Sequence, residues 1–361
     1  MSVRFYLKKE MFFEKSYNLM EADAFKVAAF RYDSGVCALE VSNARCKYIL
    51  LPFNGQQIWR YEVDGEEMTM KSMFAEPEDT DSFEFSYGAF LIHCGLTAMG
   101  NPSEDDPHPL HGELPLAHYP VAWIETGEDE AGKYIRTGGD YLFRNALETS
   151  YMYSPSIRLN EDACMLIAKD TIENRRSQPF YYMYMSHINW RPFEGSRFLY
   201  TAPKDSEHIE IFREDFSDML CEEDAKRLDD YTLELMENPE KADVIDKNTQ
   251  VYDPELCMCI HYEPDENGWA HSMQLRPDGT ACYVTFETTY LPNGVRWMAR
   301  TGEEDACGFA LPNTGNHKGR AYAIEHDLRK VLAPHEKIEL NYKIALLNEE
   351  EVKLKRKEIE M

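Results

Sequence analysis

Residues 179–190, PFYYMYMSHINW, decide the fold. Nearly every position is apolar or aromatic, so the run reads as a central strand covered on both faces. Aromatic residues of this kind suit a packed, pleated surface. The same signal recurs outward from it. Ile338, Leu340, Tyr342, Ile344 and Leu346 alternate with Glu339, Asn341, Lys343 and Ala345, the period-two pattern of a half-buried strand. Cys282, Val284, Phe286, Thr288 and Tyr290 alternate likewise. Asp64-Gly65, Asn267-Gly268, Asp278-Gly279 and Asn293-Gly294 are tight-turn dipeptides that punctuate these runs. A parallel α/β fold would need helical patterns between most strands, and they are absent. Two helices are predicted, over 217–236 and 348–361. The second opens on a capping box of Asn348 and Glu351, with Glu349–Lys353 and Glu351–Lys355 as i,i+4 pairs. Residues 76–82 and 101–109 read as loops. The expectation is an all-β antiparallel domain over residues 1–347, followed by a helical tail, 348–361.

Composition narrows the function. The 361 residues hold 38 Lys plus Arg against 65 Asp plus Glu, a formal charge of -27. Such a field repels nucleic acid and anionic membrane surfaces. Hydrophobic residues make up 43%, too many for a disordered chain. The opening, MSVRFYLKKEMFFEKSYNLME, lacks the uninterrupted apolar core of a signal peptide, and no run reaches the ~18 apolar residues of a membrane span. The nine cysteines show no disulfide-framework spacing. A cytoplasmic location with reduced thiols is expected. Cys257 and Cys259 share one face of a strand and read as structural.

Three regions carry candidate chemistry. Residues 91–120, LIHCGLTAMGNPSEDDPHPLHGELPLAHYP, hold His93, His108, His111 and His118. A substrate-binding loop, a metal site and plain structural histidines are the competing readings. H-x-x-H between prolines is not a helical ligand pair, which weighs against the metal. In the central strand, Tyr181, Met183, Met185, His187 and Asn189 share a face. His187 and Asn189 stand where the apolar run meets a polar turn, a rim on which a histidine can exchange protons with a substrate oxygen. Trp190 is a candidate stacking face for a sugar ring. In 297–321, WMARTGEEDACGFALPNTGNHKGRA, a hairpin precedes a Gly- and Asn-rich loop in which Asn313, His317 and Arg320 are candidate donors to hydroxyls or a carboxylate. Nucleotide-loop, serine-elbow and zinc-protease motifs do not occur, and no cofactor is called for.

Taken together, these segments resemble the aldose 1-epimerase, or galactose mutarotase-like, superfamily, in a branch of unknown function. LPFNGQQIWRYEVDG, CGLTAMGNP with PLHGELP, AKDTIENRR with YMSHINWRPFEGS, LPNGVRWM, GFALPNTGNHKGRA and VLAPHEKIEL follow the order of its motifs along nearly the whole chain. The resemblance implies a β-supersandwich with a sugar site in an open cleft. It implies His187 as general acid and His111 as a cleft residue, with Asn189 and Arg320 as looser sugar contacts. Mutarotation needs two proton transfers, one off the anomeric hydroxyl and one onto the ring oxygen. The family's late-strand glutamate base falls at Ala310 in this chain, which cannot take a proton. Glu113 is the first substitute carboxylate, with Glu287 and Glu304 behind it. Three functions follow as alternatives. One is an enzyme acting at the anomeric centre of a free sugar or sugar acid. Another is a carbohydrate-binding protein without catalysis, and the third is a metal-dependent sugar isomerase or lyase.

Overall fold

The computed structural model describes residues 2–104 and 106–360. Residues 1 and 361 of the expected domain and tail, and residue 105 of the loop 101–109, lie outside the described residues. Two antiparallel sheets form the body. The nine-stranded sheet runs in the order Val3–Tyr6, Val121–Asp129, Gly132–Asn145, Thr149–Asn160, Leu166–Asn174, Lys337–Leu347, Ala281–Glu287, Trp269–Leu275 and Arg197–Tyr200. In the thirteen-stranded sheet the central neighbours are Leu256–His261, Asn293–Arg300, Asp305–Asn313, Phe180–Ile188, Leu91–Leu96 and Ile58–Val63. The architecture is therefore the all-β sandwich expected from the alternation.

The apolar phase of each strand explains its two faces. Tyr182, Tyr184 and Ile188 point inward into one hydrophobic cluster with Ile172, Val284, Leu340, Tyr342 and Ile344 of the other sheet. Burial of each such side chain contributes roughly 1.5–3 kcal/mol. The opposite phase, Met183 and Met185, joins a second cluster with Ile92, Cys94, Cys257, Val295 and Trp297 on the outer face. A fully buried carboxylate, Asp170, lies between the sheets. Asp170 Oδ2 accepts hydrogen bonds from the hydroxyls of Tyr153 at 3.1 Å, Tyr184 at 2.6 Å and Tyr342 at 3.1 Å, with His93 Nδ1 3.3 Å away. Several donors on one buried acceptor offset its desolvation and fix the two sheets relative to each other.

The local expectations hold with some displacements. The strands Phe180–Ile188, Lys337–Leu347 and Ala281–Glu287 form where the patterns place them. The first long helix is Glu222–Glu237, five residues shorter at its start than the periodic run. The C-terminal helix Glu349–Ile359 has the predicted Asn348–Glu351 capping box. Its ion pairs differ: Lys353 meets Glu350 at 2.8 Å and Lys355 meets Glu358 at 2.6 Å, both at i,i+3. Asn293-Gly294 is not a turn but the start of the strand Asn293–Arg300. The Tyr262 ring lies where a Cβ on Gly294 would stand, 2.7 Å from it, so the glycine makes room for a side chain. No helix among the described residues is long and apolar enough to cross a membrane.

Candidate active site

The outer face of the thirteen-stranded sheet carries a cleft of about 270 Å³. That is near the lower edge of small-molecule pockets, roughly 300–1,000 Å³. Period-two geometry supplies its floor. Met185 and His187 come from the central strand, and Val295 and Trp297 from Asn293–Arg300. Cys257 pairs with Trp297 across the next ladder, and Glu255 precedes it by one strand repeat. The walls are loops: Phe74, Phe83, Glu84 and Tyr87 on one side, and Leu110, His111, Glu304 and His317 on others.

His187 is 3% exposed and is held in one tautomer. Asn189 Nδ2 donates to the carbonyl of Ala89 at 2.9 Å, which turns Asn189 Oδ1 toward the imidazole. That oxygen sits 2.6 Å from His187 Nδ1. The Nδ1–H therefore donates to Oδ1, and Nε2 keeps a free lone pair. Burial pushes the imidazole's pKa down from 6.5 to about 4, while the Asn189 bond acts in the opposite sense. The ring is boxed by T-shaped contacts to His111 and Trp297, each with centroids 5.3 Å apart, and to Tyr87 at 6.0 Å. Trp297 in turn donates its Nε1–H to Glu255 Oε2 at 2.6 Å. A carboxylate is thus fixed on the ring that packs against His187.

The loop histidines are positioned by backbone. His111 N donates to Gly100 O at 3.0 Å, and Asn101 N donates to His317 O at 2.7 Å. Residues 100–101 therefore link the two histidines. A Cβ on Gly100 would lie 2.1 Å from His317 O, and its φ of +89° is open mainly to glycine. This accounts for the second glycine of the CGLTAMGNP motif. Burial pushes the pKa of His111 well down, helped by the neighbouring imidazoles of His187, His317 and His108.

The expected residues separate into cleft and scaffold. His187, His111, His317 and Glu304 line the cleft. Asn189 stands behind His187 as its orienting partner. Glu113 does not line it. Its Oε1 accepts from Leu96 N at 3.1 Å, Thr97 N at 3.0 Å and Tyr151 OH at 2.6 Å, and its Oε2 accepts from Thr97 Oγ1 at 2.6 Å. Burial raises its pKa, against the pull of those bonds. Glu113 thus braces the loop that carries His111, and its proposed catalytic place is corrected to a structural one.

Trp190 is also corrected. It is wholly buried on the inner face with Phe90, Tyr61 and Phe309, so no sugar can stack on it. Asn313 is buried and shapes the strand end, donating to Leu311 O and accepting from Gly315 N, both at 2.9 Å. Arg320 is half-exposed, 3.9 Å from Asp106, and is not a cleft residue. Glu287 accepts from Asn341 on the outer face of the nine-stranded sheet. His93 belongs to the Asp170 network, His108 lies 3.5 Å from Asp106, and His118 is exposed. The four histidines of 91–120 are therefore dispersed. Among the described residues no group of three or more His, Cys, Asp or Glu has metal-holding geometry.

Ala310 changes meaning as well. The ladder pairs Val295 with Leu311 but Trp297 with Gly308, so Phe309 and Ala310 together oppose Arg296. This bulge turns both Phe309 and Ala310 into the inner core, while Leu311 returns to the outer face. A side chain at 310 does not reach the cleft in this structure. The cleft has carboxylates from elsewhere: Glu255, Glu304 and Glu84. Glu255 and Tyr87 escaped the sequence reading. For Glu255 a signal existed, because 255, 257 and 259 share parity ahead of a strand.

The comparisons with known proteins bear on the fold and the family. A search of curated proteins finds no match to the sequence. Among solved structures, the chain resembles a protein of Klebsiella pneumoniae described as a "putative aldose 1-epimerase", with a TM-score of 0.84 at 16% identity, covering 100% of this chain and 95% of that one. A galactose mutarotase-like protein of Clostridium acetobutylicum matches with a TM-score of 0.59 at 13% identity, over 91% and 100% of the two chains. A galactose mutarotase related enzyme of Lactobacillus acidophilus matches with 0.55 at 12% identity, over 86% and 97%. At these identities the likeness shows the fold, which is galactose mutarotase-like. The family model described as a domain of unknown function, DUF4432, matches residues 33–346, and the chain belongs to that family.

Proposed function

We propose that the protein is an aldose 1-epimerase-like enzyme acting at the anomeric centre of a free sugar. The observation that supports this best is His187, held with Nε2 free, in a monosaccharide-sized cleft beside the Trp297-anchored Glu255. The neutral imidazole accepts the anomeric hydroxyl proton at Nε2. The imidazolium formed in this apolar box is a strong acid and passes a proton to the ring oxygen as the C1–O5 bond opens. Glu255 stabilises the transient positive charge. Rotation about the C1–C2 bond and reclosure by the reverse steps give the other anomer. The aromatic walls of Trp297 and Tyr87 suit the C–H faces of a pyranose.

A carbohydrate-binding protein without catalysis rested on Ala310, which stands in the inner core. Exchange NMR on a panel of aldoses tests the proposal. Wild-type protein should accelerate anomer exchange, and His187→Gln should lower the rate by roughly 10²–10⁴-fold. No acceleration by the wild type, or equal acceleration by the variant, would sink it.

A further inference from the structure

The cleft has an unusual charge balance. Among the described residues its lining holds Glu84, Glu255 and Glu304 and no lysine or arginine. The basic side chains near its walls are engaged elsewhere. Arg300 binds Glu194 at 2.6 Å and Asp305 at 2.7 Å, and Lys318 binds Glu214 at 2.5 Å. Arg60 donates to the carbonyls of Trp59 and Gly88 at 2.8 and 2.9 Å and of Phe74 at 3.1 Å, while Lys71 donates to Gly302 O at 2.7 Å. Three histidines face the cleft. His187 and His111 resist protonation because they are buried, and His317 Nε2 stands 3.6 Å from Glu214, a carboxylate that does not line the cleft. Between the carboxylates stand Trp297, Tyr87, Phe83 and Phe74. Tyr87 packs edge-on against Phe83 at 5.1 Å and Trp297 at 5.6 Å, so the rings form a continuous wall. Aromatic walls with uncompensated carboxylates are the chemistry of an ammonium site. Phosphate and carboxylate sites use the opposite set, with arginine or lysine forks.

We infer that the cleft selects its sugar by charge: it takes a monosaccharide bearing a protonated amine ahead of the uncharged parent sugar, and turns away phosphorylated sugars and uronic acids. This rests on the epimerase reading for turnover but not for binding. The amine is the specificity handle, and the anomeric carbon remains the reacting centre. The net charge of -27 acts in the same direction at longer range.

The test measures binding and turnover together, at pH 6 and low salt. Calorimetry gives Kd, and exchange NMR gives kcat/KM. The probes are D-glucosamine and D-galactosamine, their parents D-glucose and D-galactose, N-acetyl-D-glucosamine, D-glucose 6-phosphate and D-galacturonate. The amino sugars should bind roughly tenfold more tightly than the parents, and the anions roughly tenfold less tightly. N-acetylation should abolish the advantage. High salt should compress the order, because rim charges are screened. Glu84→Gln should also compress it, since Glu84 is the exposed carboxylate at the rim. Equal binding of amino and parent sugars, or tighter binding of the anions, overturns the inference while leaving the epimerase reading intact. The charge order in Kd without turnover of any sugar refutes the epimerase reading and sustains the inference.

Discussion

His187 should stay neutral far into acid, and the consequence is measurable in stability as well as in catalysis. The lowering from 6.5 to about 4 makes the imidazolium roughly 3 kcal/mol less favourable in the folded chain than in the unfolded one. The side chain is 3% exposed, so bulk solvent screens little of this. The sign follows from the direction of the change. Stabilisation is complete above pH 6.5, where both states are neutral, and it drains away as pH falls toward 4, because the unfolded chain takes the proton first. Gln at 187 can still donate to Asn189 and does not titrate. Urea unfolding of wild type and His187→Gln between pH 7 and 4 should therefore show the stability difference shifting against the wild type by about 3 kcal/mol. The titration of the His187 ring by NMR should have its midpoint near 4. Activity should follow the same group, with kcat/KM level from neutral pH down to 5 and half lost near 4. A midpoint near 6.5, or a stability difference that does not move with pH, would refute the buried neutral imidazole and the base role built on it.

Three further outcomes are expected. Trp297→Phe keeps the ring against His187 but removes the Nε1–H bond to Glu255, a charge-assisted bond of roughly 1.5–3 kcal/mol. Exchange NMR should show kcat reduced by roughly ten- to a hundredfold, with the circular dichroism melt lowered by only a few degrees, so that the variant is fully folded at the assay temperature. Glu113→Gln sets an amide N–H against the donors of Thr97 and Tyr151, and should cost about 2 kcal/mol in urea unfolding while the folded fraction keeps its kcat. A large loss of kcat at wild-type stability would return Glu113 to catalysis. Ala310→Glu buries a carboxylate in the inner core and should destabilise by about 3 kcal/mol or more, with no gain of activity. A soluble variant with faster anomer exchange would contradict the bulge assignment.

Much of the fold was legible because its strands carry a clean period of two. The outer-face set of Met183, Met185 and His187 followed from parity alone. The errors have local causes. Trp190 has the parity of Tyr182, Tyr184 and Ile188, and it belongs with them inside. Asn293-Gly294 looks like a turn in sequence, but the need for glycine comes from Tyr262, which is distant along the chain. The helix at Glu222 starts late because residues before it form turns, with Asp215 accepting from Ser217 N at 2.9 Å. The site was half legible. Histidines stand out by type, whereas Glu255 is one of 65 acidic residues until the fold brings it to the Trp297 indole N–H. Ala310 could not be read correctly, because a single bulge reverses the face of every following residue.

The bracing of Glu113 has a consequence for how the cleft receives a ligand. Through Tyr151 it fastens the His111 loop to the far sheet, and through Leu96 and Thr97 to the end of the strand beside the central one. Moving His111 would require breaking bonds that span the sandwich. That half of the site is preorganised, and its ordering entropy is spent during folding rather than at each encounter. If the cleft takes sugars as proposed, adaptation to different ones is left to the opposite wall, residues 73–87, where Met73 and Phe85 are 63% and 65% exposed. On the proposed reading, the exposed positions Met73 and Phe85 are where substitutions can alter which sugar enters, whereas Phe83 and Tyr87 of the same wall pack against His111 and His187 and are tied to the fixed half.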